Sequence, residues 1–388
     1  MKTLRLNLPV WRDRLSGIGV SERHKRFLVR ALLMALGVRI GLLLAGYITG
    51  YVLIDNEGAS VWDVIVETFN RWDANNFQRV AEVGYVSEGH DRLFIVFLPG
   101  YPATIWLFHL FIPNYFIAAM VAATVAAVAA GFLIQVLIAK DGGDEGEVER
   151  GLWYMTLFPT AYFLAMPYSE SMFLALVLGS FVAARNERWA WCGALGMLAT
   201  ATRIQGLALI PALAVEAFHR YRWQSPLRAY WLVLVPVGFL TYLGINWAVF
   251  GDPFEFMDIE REHWFHERIW PWEGVKDTLS AIQDLPSGFT RTSIYEFRLA
   301  SMVLTAWLLL VAVRWLRPSY QVYAWVTLIF MMSVSWQISL PRYLLGIFPI
   351  FLVMAHLSRS PGVHQVLLTS SAILMGSLYV VYAKSWGF

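Results

Sequence analysis

The amino-acid sequence predicts an all-α fold, a polytopic transmembrane helical bundle, and three observations carry that reading. Hydrophobic residues make up 58% of the 388 and charged residues only 15%, whereas a soluble domain is about half apolar and about a quarter charged. Mean hydropathy is +0.53. Apolar runs recur along the whole chain, several of them near the ~20 residues that a helix needs to cross hydrocarbon. The 18 Trp and 17 Tyr suit a body with two membrane–water interfaces, where those side chains collect. A net charge of +2, with no basic tract interleaved with stacking aromatics, argues for the membrane and against nucleic acid as a partner. The lone Cys192 excludes an intramolecular disulfide and, lying in an apolar run, reads as an inert core residue.

The chain reads in order as a single integral membrane domain, residues 1–388. Residues 1–30 carry Lys2, Arg5, Arg12, Arg14, Arg23, Lys25, Arg26 and Arg30 against Asp13 and Glu22. That excess directly precedes the first span, about residues 31–54, and the positive-inside rule places the N-terminus in the cytoplasm. A cleaved signal peptide fits poorly: the basic region is too long, the apolar run is long enough to span, and no small-x-small site follows. Residues 55–92 then form a first extracytoplasmic loop holding Asp55, Glu57, Asp63, Glu67 and Asp73. Glu67 lies about one and a half helical turns before Asp73, which points it away from Asp73 and marks it as structural.

Further apolar runs fall at about 93–111, 115–139, 151–166, 171–184, 189–218, 230–250, 299–316, 320–338, 343–357 and 363–382. Several are short, which predicts broken or re-entrant helices and about nine to eleven crossings. Arg185, Arg188 and the stretch from His219 through Arg228 belong to the cytoplasmic side, so the loop at 251–298 emerges on the same side as Asp73. The acidic connection from Lys140 to Arg150 says little about sidedness, and charge leaves the direction of the chain between residues 93 and 166 open. No soluble domain, internal repeat, nucleotide-binding glycine loop or low-complexity tract is found.

Against this background a few polar residues stand out, each with a bland reading beside the functional one. Asp73 in Arg71-Trp72-Asp73-Ala74 is either a helix cap or partner of Arg71, or a functional carboxylate at the membrane surface. Arg203, within an apolar run broken by Gln205-Gly206, would cost ~2.5 to 3.5 kcal/mol at mid-bilayer. It therefore sits at the turn between two short helices or in a wet cavity, or else snorkels to headgroups. Glu170 is a cap at a span start or a site residue. Trp72, Tyr168, Trp264 and Tyr343 are interface anchors or sugar-stacking platforms. His263 and His266 have a spacing that a metal site can use, but in a charged interfacial loop a hydrogen-bonded or headgroup-facing role fits better.

An ordered series of motifs then carries a family resemblance. It comprises Arg71-Trp72-Asp73-Ala74 with Gly84-Tyr85, Phe97-Leu98-Pro99-Gly100-Tyr101-Pro102, Pro167-Tyr168-Ser169-Glu170-Ser171, Thr202-Arg203 with Gly206, and Arg342-Tyr343-Leu344 with Phe348-Pro349. The series resembles PIG-V-like mannosyltransferases, polytopic glycosyltransferases of the GT-C class. Gly251-Asp252-Pro253-Phe254, with the aromatics around Trp264 and Pro271-Trp272, is similar to the outer loop of bacterial members. Two departures are Ile204-Gln205 between the Arg and the Gly, and Gly100 where bacterial versions commonly have Leu.

The resemblance implies inverting transfer of a sugar, typically mannose, from a polyprenyl-phosphate donor to a lipid- or protein-linked glycan acceptor outside the cell. It implies no metal and no cofactor, in a bacterial or archaeal plasma membrane. Asp73 would be the general base. Arg203 and Arg342 would hold the departing phosphate; Arg71 is a third candidate, with a local ion pair to Asp73 as its alternative. Trp72, Tyr101, Tyr168, Glu170, Gln205, His263, Trp264 and Tyr343 would contact substrate. The short runs at 93–111 and 343–357 would offer an apolar groove for the polyprenyl tail. The absence of a soluble nucleotide-sugar domain favours a lipid-linked donor. A transporter or flippase of a lipid-linked sugar, or a non-enzymatic lipid-binding assembly factor, is the alternative.

Overall fold

A computed structural model describes residues 17–53, 60–222, 226–335 and 337–384. Lys2, Arg5, Arg12, Asp13 and Arg14, and in the first loop Asp55 and Glu57, lie outside the described residues. What is described is a bundle of helices with no strand beyond an isolated bridge between Arg268 and Val334.

The chain opens with α1 (Gly17–Leu53), followed by the short α2 (Val61–Phe69) and α3 (Asp73–Val83) of the first loop. Next come α4 (Gly100–His109), α5 (Tyr115–Lys140), α6 (Glu145–Thr156), α7 (Glu170–Arg185), α8 (Trp189–Thr202) and α9 (Leu209–Tyr221). After α10 (Val237–Phe250), the second loop folds as α11 (Glu255–Trp264) and α12 (Pro271–Asp284). The chain finishes with α13 (Phe297–Val311), α14 (Pro318–Met332), the one-turn α15 (Leu340–Tyr343), α16 (Pro349–Leu357) and α17 (Pro361–Ala383).

Among the described residues, five helical stretches are long and apolar enough to cross a membrane: Glu22–Tyr51, Tyr115–Lys140, Arg228–Phe250, Arg291–Arg314 and Pro361–Ala383. A sixth results if the pair Leu340–Gly346 and Pro349–Leu357, bent by 82°, counts as one span. The other apolar runs form shorter helices joined through 3-10 turns. Proline explains part of the interruption, because it lacks the amide proton that would continue a helix: Pro349 begins α16 just after the bend. Apolar side chains at Leu33, Leu44, Ile48, Val303, Leu310 and Ile373 face outward, the surface a lipid environment would cover. The run at 343–357, by contrast, is core: Ile347, Phe348, Ile350, Phe351 and Val353 are all buried. Only the 93–111 run keeps an exposed apolar flank, at Trp106, Leu107, Leu110 and Phe111, so the expected tail groove cannot be lined by both.

Ion pairs settle the direction of the chain that charge left open. Arg23 and Arg30 on α1 reach Glu145 at 3.0 and 3.4 Å, so the acidic turn between α5 and α6 lies at the N-terminal end of α1. At this same end Arg185 pairs with Asp141 and Arg317 with Glu216 at 2.8 Å. Asp73 lies toward the opposite end, because α2 just before it packs on Gly46 and Gly50 near the C-terminal end of α1. There Tyr242 of α10 donates to the Ile95 carbonyl at 2.9 Å, and Phe256 and Ile259 of α11 pack on Ile95 and Tyr242. These contacts lay α11 over the segment that follows α3, so the loops at 55–92 and 251–298 form facing walls.

Candidate functional site

Asp73 is the first residue of α3, and the backbone just before it is strained. Trp72 has φ 53° and ψ −126°, a region that costs a bulky residue roughly 1 to 3 kcal/mol. The turn leaves Trp72 exposed while Asp73 enters the bundle. Its Oδ2 accepts a hydrogen bond from Arg342 Nη1 at 2.6 Å.

Arg342 lies on α15, whose single turn ahead of the bend into α16 holds the guanidinium in the protein interior, 3% exposed. Besides Asp73 it donates from Nε to Glu170. Its guanidinium sits 4.4 Å from the ring centre of Tyr168 and 4.8 Å from that of Phe163, contacts in which the ring face attracts the cation. Arg203 approaches Glu170 from the other side: Nη1 donates to Oε1 at 2.8 Å and to Ser169 Oγ at 2.9 Å. It lies in extended backbone where α8 ends and a 3-10 turn begins, the helix break that Gln205-Gly206 predicts. Two carboxylates and two guanidinium groups thus form one chain, Asp73–Arg342–Glu170–Arg203, with no net charge. Pairing of this kind is what makes buried charge tolerable, since each ion alone would carry a desolvation cost of several kcal/mol. Glu170 Oε2 is buried with no hydrogen-bond partner among the described residues, an unusual state for a carboxylate oxygen.

The exposed side of this chain faces a cleft of about 140 Å³, lined among others by Asp73, Arg203, Gln205, Trp264, Arg342 and Tyr343. Six of the twelve expected site residues therefore converge on one cavity. Glu170 and Tyr168 stand behind it, Glu170 joining the two arginines and Tyr168 stacked on Arg342. Tyr168 also donates to the Arg71 carbonyl at 2.7 Å, which anchors the turn before Asp73. Neither is placed to touch a molecule in the cleft, so both position the residues that do.

Four expected site residues stand elsewhere. Arg71 pairs with Glu67 at 3.1 Å, one helical turn away, so it neither forms the local ion pair with Asp73 nor lines the cleft. Trp72 is 53% exposed and outside the cleft. Tyr101 is fully buried and donates to the Ala119 carbonyl at 3.0 Å, bracing α4 on α5. His263 does not line the cleft, while His266 does. Glu260 lines the cleft although nothing in the sequence singled it out, and His266, read there as hydrogen-bonded or headgroup-facing, lines it too. Glu260 precedes Trp264 by four residues on α11, the spacing that puts two side chains on one helix face, and this signal was available. Burial pushes the Glu260 carboxyl up to about 7, with the charge of Arg268 opposing the shift.

The packing around Gly100 leaves no room for a side chain. A Cβ there would stand 2.5 Å from Thr202 Oγ1 and 2.9 Å from the Ala201 carbonyl. The start of α4 presses directly on the end of α8, one residue before Arg203. The chain matches no protein-family model, no curated protein and no solved structure.

Proposed function

We propose that the chain is an inverting glycosyltransferase that moves a sugar from a polyprenyl-phosphate donor to an acceptor hydroxyl on the extracytoplasmic side of a membrane. Mannose is the sugar that the resemblance favours, and a lipid- or protein-linked glycan is the acceptor. The observation that carries the reading is the placement of Asp73 and the two interior arginines around one cleft at the end of the bundle away from the N-terminal end of α1.

In the proposed reaction the acceptor oxygen attacks the anomeric carbon on the face opposite the phosphate. The bond from that carbon to the phosphate oxygen breaks, and its electron pair leaves with polyprenyl phosphate. The hydroxyl proton passes to Asp73. Arg342 occupies Oδ2 of Asp73; Oδ1, which has no hydrogen-bond partner among the described residues, is the oxygen for the proton. Arg342 is therefore a positioning residue as much as a phosphate ligand, because two of its nitrogens already serve Glu170 and Asp73. Among the described residues Arg203 uses only Nη1 for hydrogen bonds, which leaves Nε and Nη2 for phosphate oxygens, where charge develops as the bond breaks. The exposed apolar flank of α4, at Trp106, Leu107 and Leu110, offers the polyprenyl tail a path along the outside of the bundle.

The test uses purified protein in lipid nanodiscs with polyprenyl-phosphate mannose and a panel of glycan acceptors. Asp73→Asn should lower turnover by about 10² to 10⁴-fold while donor affinity holds. Near-normal turnover of the Asn variant removes Asp73 as the base. No transfer by the wild-type protein to any acceptor, with uptake of the lipid-linked sugar into vesicles, would replace the enzyme by a transporter.

A further inference from the structure

A second chamber of about 100 Å³ adjoins the cleft and shares with it Ile204, Gln205, Glu260, His266 and Tyr343. Its own walls bring in Phe256, Arg268, Phe330, Gln337 and Ser339. The chemistry of the two spaces differs. The first is lined by Asp73, Arg342 and Arg203; to the carboxyl group and imidazole that the two spaces share, the second adds an amide, a hydroxyl, two phenyl rings and the Arg268 guanidinium, which lies over one of those rings.

Gln337 is the most informative of these residues. It is 4% exposed, its Nε2 donates to the Met332 carbonyl at 2.7 Å, and its Oε1 has no partner among the described residues. The amide is held there by its neighbours, since a Cβ at Gly274 on α12 would stand 2.0 Å from Nε2. The facing wall is equally fixed. Ile269 N donates to the Ser333 carbonyl at 3.1 Å and Ser335 N to the Glu267 carbonyl at 2.9 Å, which clips the end of the α11 wall to the turn that carries Gln337. Arg268 lies over the Phe330 ring at 5.6 Å. A buried acceptor atom without a donor, in a chamber rigid on both sides, fits a ligand that brings a hydroxyl.

We propose that this second chamber is the acceptor subsite and binds the sugar unit whose hydroxyl is to be glycosylated. Gln337 Oε1 and the Glu260 carboxyl take hydroxyl groups, and Phe256 and Phe330 meet the apolar face of the ring. The assignment rests on the glycosyl-transfer reading and extends it. Phosphate chemistry stays in the first space, beside Arg203, and the neutral polyol occupies the second. The reacting hydroxyl meets Asp73 where the two spaces join, at Gln205 and Tyr343. A carboxyl group that titrates near neutrality suits this role, because it can accept from one hydroxyl and donate to another.

The probe is octyl α-mannoside carrying a diazirine at C6, with polyprenyl-phosphate mannose as donor, on the full chain in nanodiscs. Irradiation should label peptides within residues 256–268 and 330–340. Gln337→Leu and Glu260→Gln, on opposite walls, should each weaken labelling and raise the acceptor KM about tenfold, and Gln337→Leu, outside the first space, should leave the donor KM unchanged. Labelling elsewhere, or labelling and acceptor KM unchanged in both variants, overturns the subsite. A wild-type protein that is labelled in the chamber yet transfers no sugar keeps the chamber as a carbohydrate site and defeats the glycosyl-transfer reading.

Discussion

Arg342 carries more of the site than its short helix suggests, since Asp73, Glu170, Tyr168 and Phe163 all lie against it. Removing one partner from a buried ion network leaves the others uncompensated, at a cost of about 3 to 5 kcal/mol. Arg203 still neutralises Glu170 in Arg342→Ala, which favours the lower end, about 3 kcal/mol. Arg342→Lys keeps the charge but loses the planar fork that reaches two carboxylates at once. Thermal unfolding of the purified variants, followed by intrinsic fluorescence, should therefore order them wild type, Lys, Ala. An Ala variant as stable as wild type would mean that the network is not coupled to folding. This network also marks the limit of what the sequence conveys about single residues. Asp73, Arg203 and Arg342 were legible because charge in an apolar chain is costly and so conspicuous. Their pairing was not legible: the neighbour Arg71 turns to Glu67, four residues back, while the partner of Asp73 lies 269 positions along the chain. Proximity in sequence fixes helical neighbours, and only the packed fold fixes the rest.

Among the elements, the long apolar runs were the readable part. Those at 115–139 and 363–382 correspond closely to α5 and α17, because a run that long has no alternative in lipid to pairing its own backbone. The short runs were less readable: length and composition alone do not tell an outward-facing segment from one enclosed by other helices, and the 343–357 run proved to be the latter. The contact between α4 and α8 is where element packing bears most directly on the site. Gly100→Ala would drive a methyl group into Thr202 and the Ala201 carbonyl, and backbone cannot retreat as the end of a long side chain can. Overpacking of this kind costs about 1 to 3 kcal/mol, and here the displaced strand of chain leads straight into Arg203. The expected result is a lowered unfolding temperature together with weaker donor binding, read by titration with polyprenyl-phosphate mannose. A loss of stability with donor affinity intact would show that α8 relaxes without moving Arg203.

At the scale of the whole molecule, the charged residues divide between the two ends of the bundle. Arg23, Arg30, Arg185 and Arg317 pair with Glu145, Asp141 and Glu216 at one end, and the Asp73 cleft occupies the other. By the positive-inside rule the first end is expected to be cytoplasmic, and the proposal that the cleft faces outward rests on that expectation joined to the direction of α1. The chain offers a clean way to test it, because Cys192 is fully buried and should stay silent toward thiol reagents. Single-cysteine reporters at His219, exposed near the end of α9, and at Ser287, exposed after α12, should respond oppositely to a membrane-impermeant maleimide applied to intact cells. Ser287→Cys should label at once, and His219→Cys only after the membrane is permeabilised. The reverse pattern would turn the cleft toward the cytoplasm, where the soluble nucleotide-sugar donors are found, and the case for a polyprenyl-phosphate donor would lose its physical basis.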